Sequence, residues 1–331
     1  MCPARHASDI MTPEVTSPIS VAVAAIRNDR DEYLIALRPE HAHQGGLWEF
    51  PGGKFEPGEG LEQALLRELR EELAIRVRRF RPLITIDHDY GDKRVCLHVC
   101  LVDAFDGEPR SPEGQPLRWV PVQSLPDYEF PAANRPIVTA LSLPDHCLIT
   151  PDPGRDEDGF LRQLSKRLGR GDVRLMQLRA PSLDRERLAR LAAQVVPVAR
   201  SAGVRIVING DLELARTAGA DGLHLNSRRL AAWDMGTTRD GLLLSASVHD
   251  RTELGRAREA GVDFAFISPV LPTASHPRSH PLGWEGFSEL ARLAVMPVYA
   301  LGGVEPGDLT QARTLGGQGV AGIRAFWKIE R

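Results

Sequence analysis

Between Gly53 and Ile75 the sequence GKFEPGEGLEQALLRELREELAI sets Glu59, Arg67, Glu68, Glu71 and Glu72 at spacings suited to metal-assisted phosphate chemistry. Glu68, Glu71 and Glu72 stand at i, i+3 and i+4, so a helix would put their carboxylates on one face. Like charges held that close repel unless a cation lies among them. Carboxylate oxygens suit hard ions such as Mg²⁺ or Mn²⁺, which also bind the phosphates of a substrate. The element that must position them is a helix from Leu61 to Leu73, rich in helix formers, with Leu61, Leu65, Leu69 and Leu73 along an apolar edge. Ahead of it, Pro51-Gly52-Gly53 and Pro57-Gly58-Glu59-Gly60 make a loop that can bring backbone close to a ligand. The plainer reading of the same residues is a solvated acidic helix behind a turn.

The fixed order of Gly53, Glu59, Arg67-Glu68, Leu69, Glu71-Glu72 and Ile75 resembles the signature of the Nudix hydrolases. Ala74 departs from it, standing where the family has glycine, and is expected to shift the helix end while sparing the ligands. Further matches narrow the resemblance to the MutT-type branch, over roughly Ser20 to Leu141: Leu47-Trp48-Glu49-Phe50-Pro51-Gly52-Gly53-Lys54, Glu113-Gly114-Gln115 and Phe130-Pro131-Ala132-Ala133-Asn134. The resemblance implies Mg²⁺- or Mn²⁺-dependent hydrolysis of 8-oxo-dGTP to 8-oxo-dGMP and pyrophosphate. It assigns Glu68 as proton acceptor and Gly52 (through its carbonyl), Glu68, Glu71, Glu72 and Glu113 as metal ligands. Arg38, Glu49, Phe50, Lys93 and Asn134 are expected to touch substrate, Asn134 by reading the altered edge of 8-oxoguanine with its amide. Lys93 stands where the branch has arginine. Asn134 could instead cap the helix after it, Glu113 could face solvent, and Arg67 is expected to brace the loop through Glu59.

The 331 residues suffice for two domains, and a net charge of −3 with 26% charged and 42% hydrophobic residues describes an ordinary soluble chain. No basic excess suggests a grip on a nucleic-acid polymer, and no apolar run approaches the ~20 residues of a membrane span. Cys2, Cys96, Cys100 and Cys147 form no CxxC pair, which favours reduced thiols and a cytoplasmic location. Residues 1–18 read as a loose tail. The first domain is placed at 19–141, as an α/β/α sandwich around a mixed sheet. Ser20–Ile26 and Tyr33–Leu37 are expected to form a hairpin across Arg27–Asp31; Leu83–Asp87 and Val95–Val102 flank the turn Tyr90–Lys93; Leu117–Val120 adds a strand and Pro136–Leu141 starts a closing helix.

After a short polar join at 142–145 the pattern changes to eight β-like runs, most of them separated by helical stretches such as Arg185–Ala202, Thr252–Ala260 and Trp284–Ala294. Residues 146–331 are therefore expected to close into a (β/α)8 barrel, compact beside the ~250 residues typical of that class. This region resembles the thiamine-phosphate synthase and thiazole tautomerase (TenI-like) family through Met176-Gln177-Leu178-Arg179, Val207-Ile208-Asn209, Ala218–Leu225, Ser247-Val248-His249, Ser268–Thr273 and Leu301-Gly302-Gly303-Val304. The resemblance implies a thiazole phosphate or pyrimidine phosphate ligand, bound by Arg179, Asn209, Ser247, Gly302 and Gly303, with His249 placed for proton transfer. A synthase needs carboxylates for Mg²⁺ and a lysine for pyrophosphate. Here Gly210 follows Asn209, Pro181 stands at the lysine position and Ser227-Arg228-Arg229 replaces the acidic end, so synthase activity is expected to be absent. Two other readings remain: hydrolysis of a thiamine-pathway diphosphate with an active barrel, or a regulatory barrel that senses thiazole phosphate.

Overall fold

The computed structural model describes residues 18–273 and 280–328. All but the last residue of the expected N-terminal tail lies outside them. The first domain contains β1 (Ile19–Ile26), β2 (Glu32–Leu37), β3 (Trp48–Glu49), β4 (Gly52–Lys54), α1 (Leu61–Leu73), β5 (Arg76–Asp89), β6 (Arg94–Asp106), β7 (Leu117–Pro121) and α2 (Arg135–Ser142). Its strands form two sheets, ordered β4-β1-β6-β5 and β3-β2-β7. The expected β1–β2 hairpin is thus corrected. The Asn28–Glu32 turn forms, closed by Asn28 N–H to Glu32 C=O at 3.0 Å, but pairing stops at one bridge, Arg27 to Tyr33. Beyond it β1 runs parallel to β6 while β2 pairs antiparallel with β7.

Alternation along β1 explains the layering. Ala22, Ala24 and Ile26 meet Leu65, Leu69 and Leu73 of α1 on one face, while Val23 and Ala25 meet Ile35, Phe50 and Ile137 on the other. Truncating Leu69, fully buried, would cost about 2–5 kcal/mol. Helix α1 ends where the periodicity places its end. Ala74 takes the left-handed conformation (φ 54°, ψ 30°) that the family gives to glycine, so the expectation of a displaced helix end is also corrected.

The second domain is a closed barrel of eight parallel strands. They are β8 (His146–Ile149), β9 (Leu175–Leu178), β10 (Arg205–Ile208), β11 (Gly222–Leu225), β12 (Leu243–Val248), β13 (Phe264–Ile267), β14 (Val298–Leu301) and β15 (Gly319–Gly322). Around them run α3 (Glu157–Leu168), α4 (Arg185–Ser201), α5 (Leu212–Ala218), α6 (Ser227–Ala231), α7 (Arg251–Glu259), α8 (Gly283–Leu293), α9 (Leu309–Thr314) and α10 (Arg324–Trp327). Phe264, Phe266, Tyr299, Val207 and Ile149 fill the barrel interior.

The join between the domains is seated in the barrel floor, at the N-terminal ends of the strands. Leu143 is buried with the interior residues, and Tyr299 Oη donates to Pro144 C=O at 2.5 Å. Gln318 Nε2 donates to both Ala140 and Leu143 C=O at 3.0 Å, taking up carbonyls at the end of α2. Arg313 pairs with Asp145 and Arg205 donates to Ser142 C=O. Among the described residues no helix is long and apolar enough to cross a membrane, and Cys96, Cys100 and Cys147 are free thiols.

Candidate functional site

Two glycines allow the acidic face of α1 to lie against strand β4. A Cβ on Gly53 would sit 2.2 Å from the Glu68 carboxyl, and one on Gly52 would sit 2.0 Å from the Ala22 carbonyl oxygen. Gly52 N–H donates to Glu72 Oε2 at 3.1 Å. Arg67 braces the loop as expected: its Nε and Nη2 each donate to a Glu59 oxygen at 2.8 Å, and Nη2 also reaches Lys54 C=O at 3.0 Å. These bonds hold the Glu59 carboxyl down at about 2, the Arg67 guanidinium being the largest cause. Nη1 of the same arginine reaches Glu68 Oε1 at 2.8 Å and, more loosely, Glu71 Oε2 at 3.3 Å.

The Glu72 carboxyl is pushed up to about 7, chiefly by burial; the Gly52 N–H opposes this, and Glu68, Glu49 and Glu113 reinforce it. The charge of Glu113, from the distant 111–116 loop, is felt at Glu72. Among the described residues no three carboxylate, imidazole or thiol side chains are already gathered for coordination. Glu68 accepts from Arg67 through Oε1 and Glu72 accepts from Gly52 N–H through Oε2, so each keeps its other oxygen for an ion. The donor set nevertheless fits a hard divalent cation. It is all oxygen, and burial with mutual repulsion raises the free energy of Glu72 ionised without a counter-charge.

The expected substrate residues separate into two kinds. Arg38 pairs with Glu49, whose carboxyl burial raises against that guanidinium, and Arg38 Nε also donates to His43 C=O at 3.0 Å. Asn134 is buried and its side chain makes no capping bond to α2, so the capping alternative does not use its amide. Phe50 is a core residue, stacked on Phe130 with centroids 5.4 Å apart, which steadies the segment leading to Asn134. Lys93 closes the turn through its carbonyl, 2.9 Å from Tyr90 N.

Sequence reasoning missed Tyr90. Burial pushes its phenol up, the Ala133 backbone amide and Arg38 oppose the shift, and Glu49 adds to it, so the ring stands among the expected base-contacting residues. His43 and His88 meet its ring edge-on at 5.2 and 4.4 Å. The signal available was an aromatic residue just before the tight turn.

At the opposite end of the barrel from the linker, a cavity of about 790 Å³ opens at the C-terminal ends of the strands. It gathers the barrel residues singled out in the sequence: Arg179, Asn209, Ser247, His249, Gly302 and Gly303. The last two take φ of +92° and +72°, and a Cβ on Gly303 would lie 2.6 Å from the Pro272 carbonyl oxygen. His249 is half-exposed, its Nδ1 3.5 Å from Glu253. The buried imidazole is His224, which the sequence reading did not assign a role. Its Nδ1 and Nε2 lie 3.0 Å from Ser245 Oγ and Ser247 Oγ, and burial, with Arg229 and Arg179, pushes its pKa down to about 3. Among the described residues lining the cavity, Glu305 is the one carboxylate, whereas Arg179, Arg229, Arg324 and Lys328 are cationic. A divalent metal does not fit this lining.

The molecule is thus a Nudix-type hydrolase fold joined to a TIM barrel. Family profiles agree: the NUDIX domain matches residues 22–140 and thiamine monophosphate synthase matches residues 146–326. The chain belongs to both families, as a Nudix domain fused to a thiamine-phosphate-synthase/TenI-like barrel. Over 123 residues it is 39% identical to the 8-oxo-dGTP diphosphatase of Escherichia coli K12, a match covering 37% of this chain and 95% of that protein. The CTP pyrophosphohydrolase of the same organism is 37% identical over 122 residues, 37% of this chain and 90% of that one. A putative thiamine-phosphate synthase of Aquifex aeolicus is 31% identical over 169 residues, 51% of this chain and 90% of its own length.

Proposed function

We propose that the first domain, a Nudix pyrophosphohydrolase acting on a nucleotide, hydrolyses 8-oxo-dGTP to 8-oxo-dGMP and pyrophosphate, cleansing the cytoplasmic nucleotide pool. The observation that carries this reading is the Asn134 amide, buried and unspent on helix capping, next to an Ala133 backbone amide turned towards Tyr90. A buried amide offers both a donor and an acceptor. A base whose edge fails to match it leaves a polar group unpaired, which gives strong discrimination. Glu68, Glu71, Glu72, Glu113 and the Gly52 carbonyl would hold Mg²⁺ (or Mn²⁺). When bound, the ion supplies charge neutralisation at the phosphates and a water of lowered pKa. Glu68 takes the proton from the attacking water, Arg67 keeps that carboxylate in place, and Arg38 turns from Glu49 to the phosphate oxygens.

The barrel lacks thiamine-phosphate synthase activity in this reading, because Gly210 and Arg229 replace the carboxylates that its metal needs. It keeps a site for a thiazole phosphate or pyrimidine phosphate, with His249 at the cavity mouth as the group for any proton transfer. Steady-state hydrolysis of 8-oxo-dGTP, dGTP, CTP and hydroxymethylpyrimidine diphosphate tests the first domain. The expected order puts 8-oxo-dGTP first in kcat/KM, with Asn134→Ala reducing its advantage over dGTP by about 10–100-fold, the value of one or two hydrogen bonds. Faster turnover of CTP or of the pyrimidine diphosphate overturns the assignment.

A further inference from the structure

Segment 128–134, which ends at Asn134, is held to the first domain by a ladder of two aromatic rungs. Trp48 and Phe50 stand two apart on the extended chain through β3, so their rings leave it on one side, and Tyr128 and Phe130 repeat the spacing. Phe50 stacks on Phe130 with planes 11° apart, and Trp48 meets Tyr128 edge-on at 5.5 Å. Between the rungs Trp48 N–H donates to Glu129 C=O at 2.9 Å. Glu49 points to the opposite side of β3, where Arg38 pairs with it. The inner rung is secured by burial, since Phe50 is a core residue, whereas Trp48 and Tyr128 are only half-buried.

The outer rung is capped from a third element. Arg118 of β7 lies across β2 from Trp48, and the register puts both on one face, Arg118 opposite Ile35 and Trp48 opposite Leu37. Its guanidinium carbon sits 5.1 Å from the Trp48 ring centroid and 5.6 Å from that of Tyr128, and Nη1 donates to Tyr128 Oη at 3.2 Å. Among the described residues this exposed guanidinium pairs with no carboxylate, so the two rings are what it engages. A planar guanidinium can cover two rings and donate to a phenol at once, which an ammonium cannot do. Downstream of Tyr128 the chain passes through Pro131 into the short turn Ala132–Asn134, where Asn134 N–H donates to Pro131 C=O at 2.8 Å. Proline and turn leave little slack between the clamped ring and the Asn134 amide.

We infer that Arg118 is a positioning residue for base recognition: by clamping Tyr128 onto Trp48 it keeps the Asn134 amide where the edge of the base arrives. This rests on the reading of Asn134 given under the proposed function. Without the clamp the segment spends part of its time displaced, and the apparent dissociation constant for a base read by Asn134 rises as the competent fraction falls. Glu68 and Glu72 are held by Arg67 and Gly52 instead, so the chemical step is untouched. An arginine that served stability alone would lower the turnover of every nucleotide alike, through loss of folded protein.

The test is steady-state kinetics of the full chain with 8-oxo-dGTP and dGTP, on Arg118→Ala, Arg118→Lys and Tyr128→Phe, each alone and combined with Asn134→Ala, with a melting curve for every variant. Arg118→Ala should raise KM for 8-oxo-dGTP about 3–10-fold, while its kcat and the kcat/KM for dGTP stay within about twofold of wild type. Arg118→Lys should fall between, and Tyr128→Phe, which removes only the phenol oxygen, should give a smaller rise of the same sign. In the Asn134→Ala background Arg118→Ala should add nothing, because the residue through which it acts is gone. Three results overturn the inference: an unchanged KM for 8-oxo-dGTP in Arg118→Ala, an equal loss on both nucleotides, or a loss that persists at full size without the Asn134 amide. If Arg118→Ala fails to fold, Tyr128→Phe decides by the same three readings. A wild type that does not prefer 8-oxo-dGTP refutes the base assignment alone, and the same comparison on its preferred nucleotide then decides the role of Arg118.

Discussion

Glu68 and Glu72 lie against a glycine strand, one steadied by a guanidinium and the other by a backbone N–H, with more negative charge converging from Glu49 and Glu113. At the barrel mouth the balance is inverted, with Arg179 and Arg229 flanking a neutral imidazole and a single glutamate in the cavity lining. The acidic cleft gathers carboxylates, whereas the basic mouth carries positive charge on its own arginine side chains. The difference shows how one chain can keep two sites of opposite charge.

The sharpest way to break this contrast is Glu68→Gln. It should lower kcat for nucleotide hydrolysis about 10²–10⁴-fold, the range for losing a positioned proton acceptor, with the melting curve unchanged. Unaltered turnover in a steady-state assay would move the acceptor to another carboxylate. Smaller in effect is the pH response of the barrel. His224 takes up its proton near 6.5 when unfolded but only near 3 when folded. Its folded pKa is depressed, so its stabilisation is complete above about pH 6.5 and is lost as pH falls towards 3, with a slope of up to about 1.4 kcal/mol per pH unit. Urea midpoints of the barrel transition should fall between pH 7 and pH 4.5 in the wild type and less so in His224→Gln. The smallest expected change concerns the acidic helix. Ala74→Gly should stabilise the first domain by about 1 kcal/mol, since alanine carries the steric cost of a left-handed helix end and glycine does not. A lower urea midpoint for that variant would count against it.

Elements with one strong period were legible in the sequence. Helix α1 could be placed by its leucines, and the eight barrel strands by short apolar runs at βα spacing. The first half of β5 was not, because Arg76-Val77-Arg78-Arg79-Phe80-Arg81 reads as a charged loop. It is an edge strand whose arginines reach outward to Asp103 and Asp106. The β1–β2 hairpin failed for a different reason: local turn chemistry was right, but each strand found a better partner far along the chain. At the sites, the signature carboxylates were legible because their spacing carries the chemistry. Tyr90 and the Arg179–Arg229 convergence were not, since their roles come from elements that meet only after folding. Leu143 was read as part of a polar join and proves to be interior.

Because Leu143, Pro144 and Asp145 are sealed into one end of the barrel while its cavity opens at the other, the Nudix domain occupies the closed end. What the fusion secures is equal copy number for the two domains.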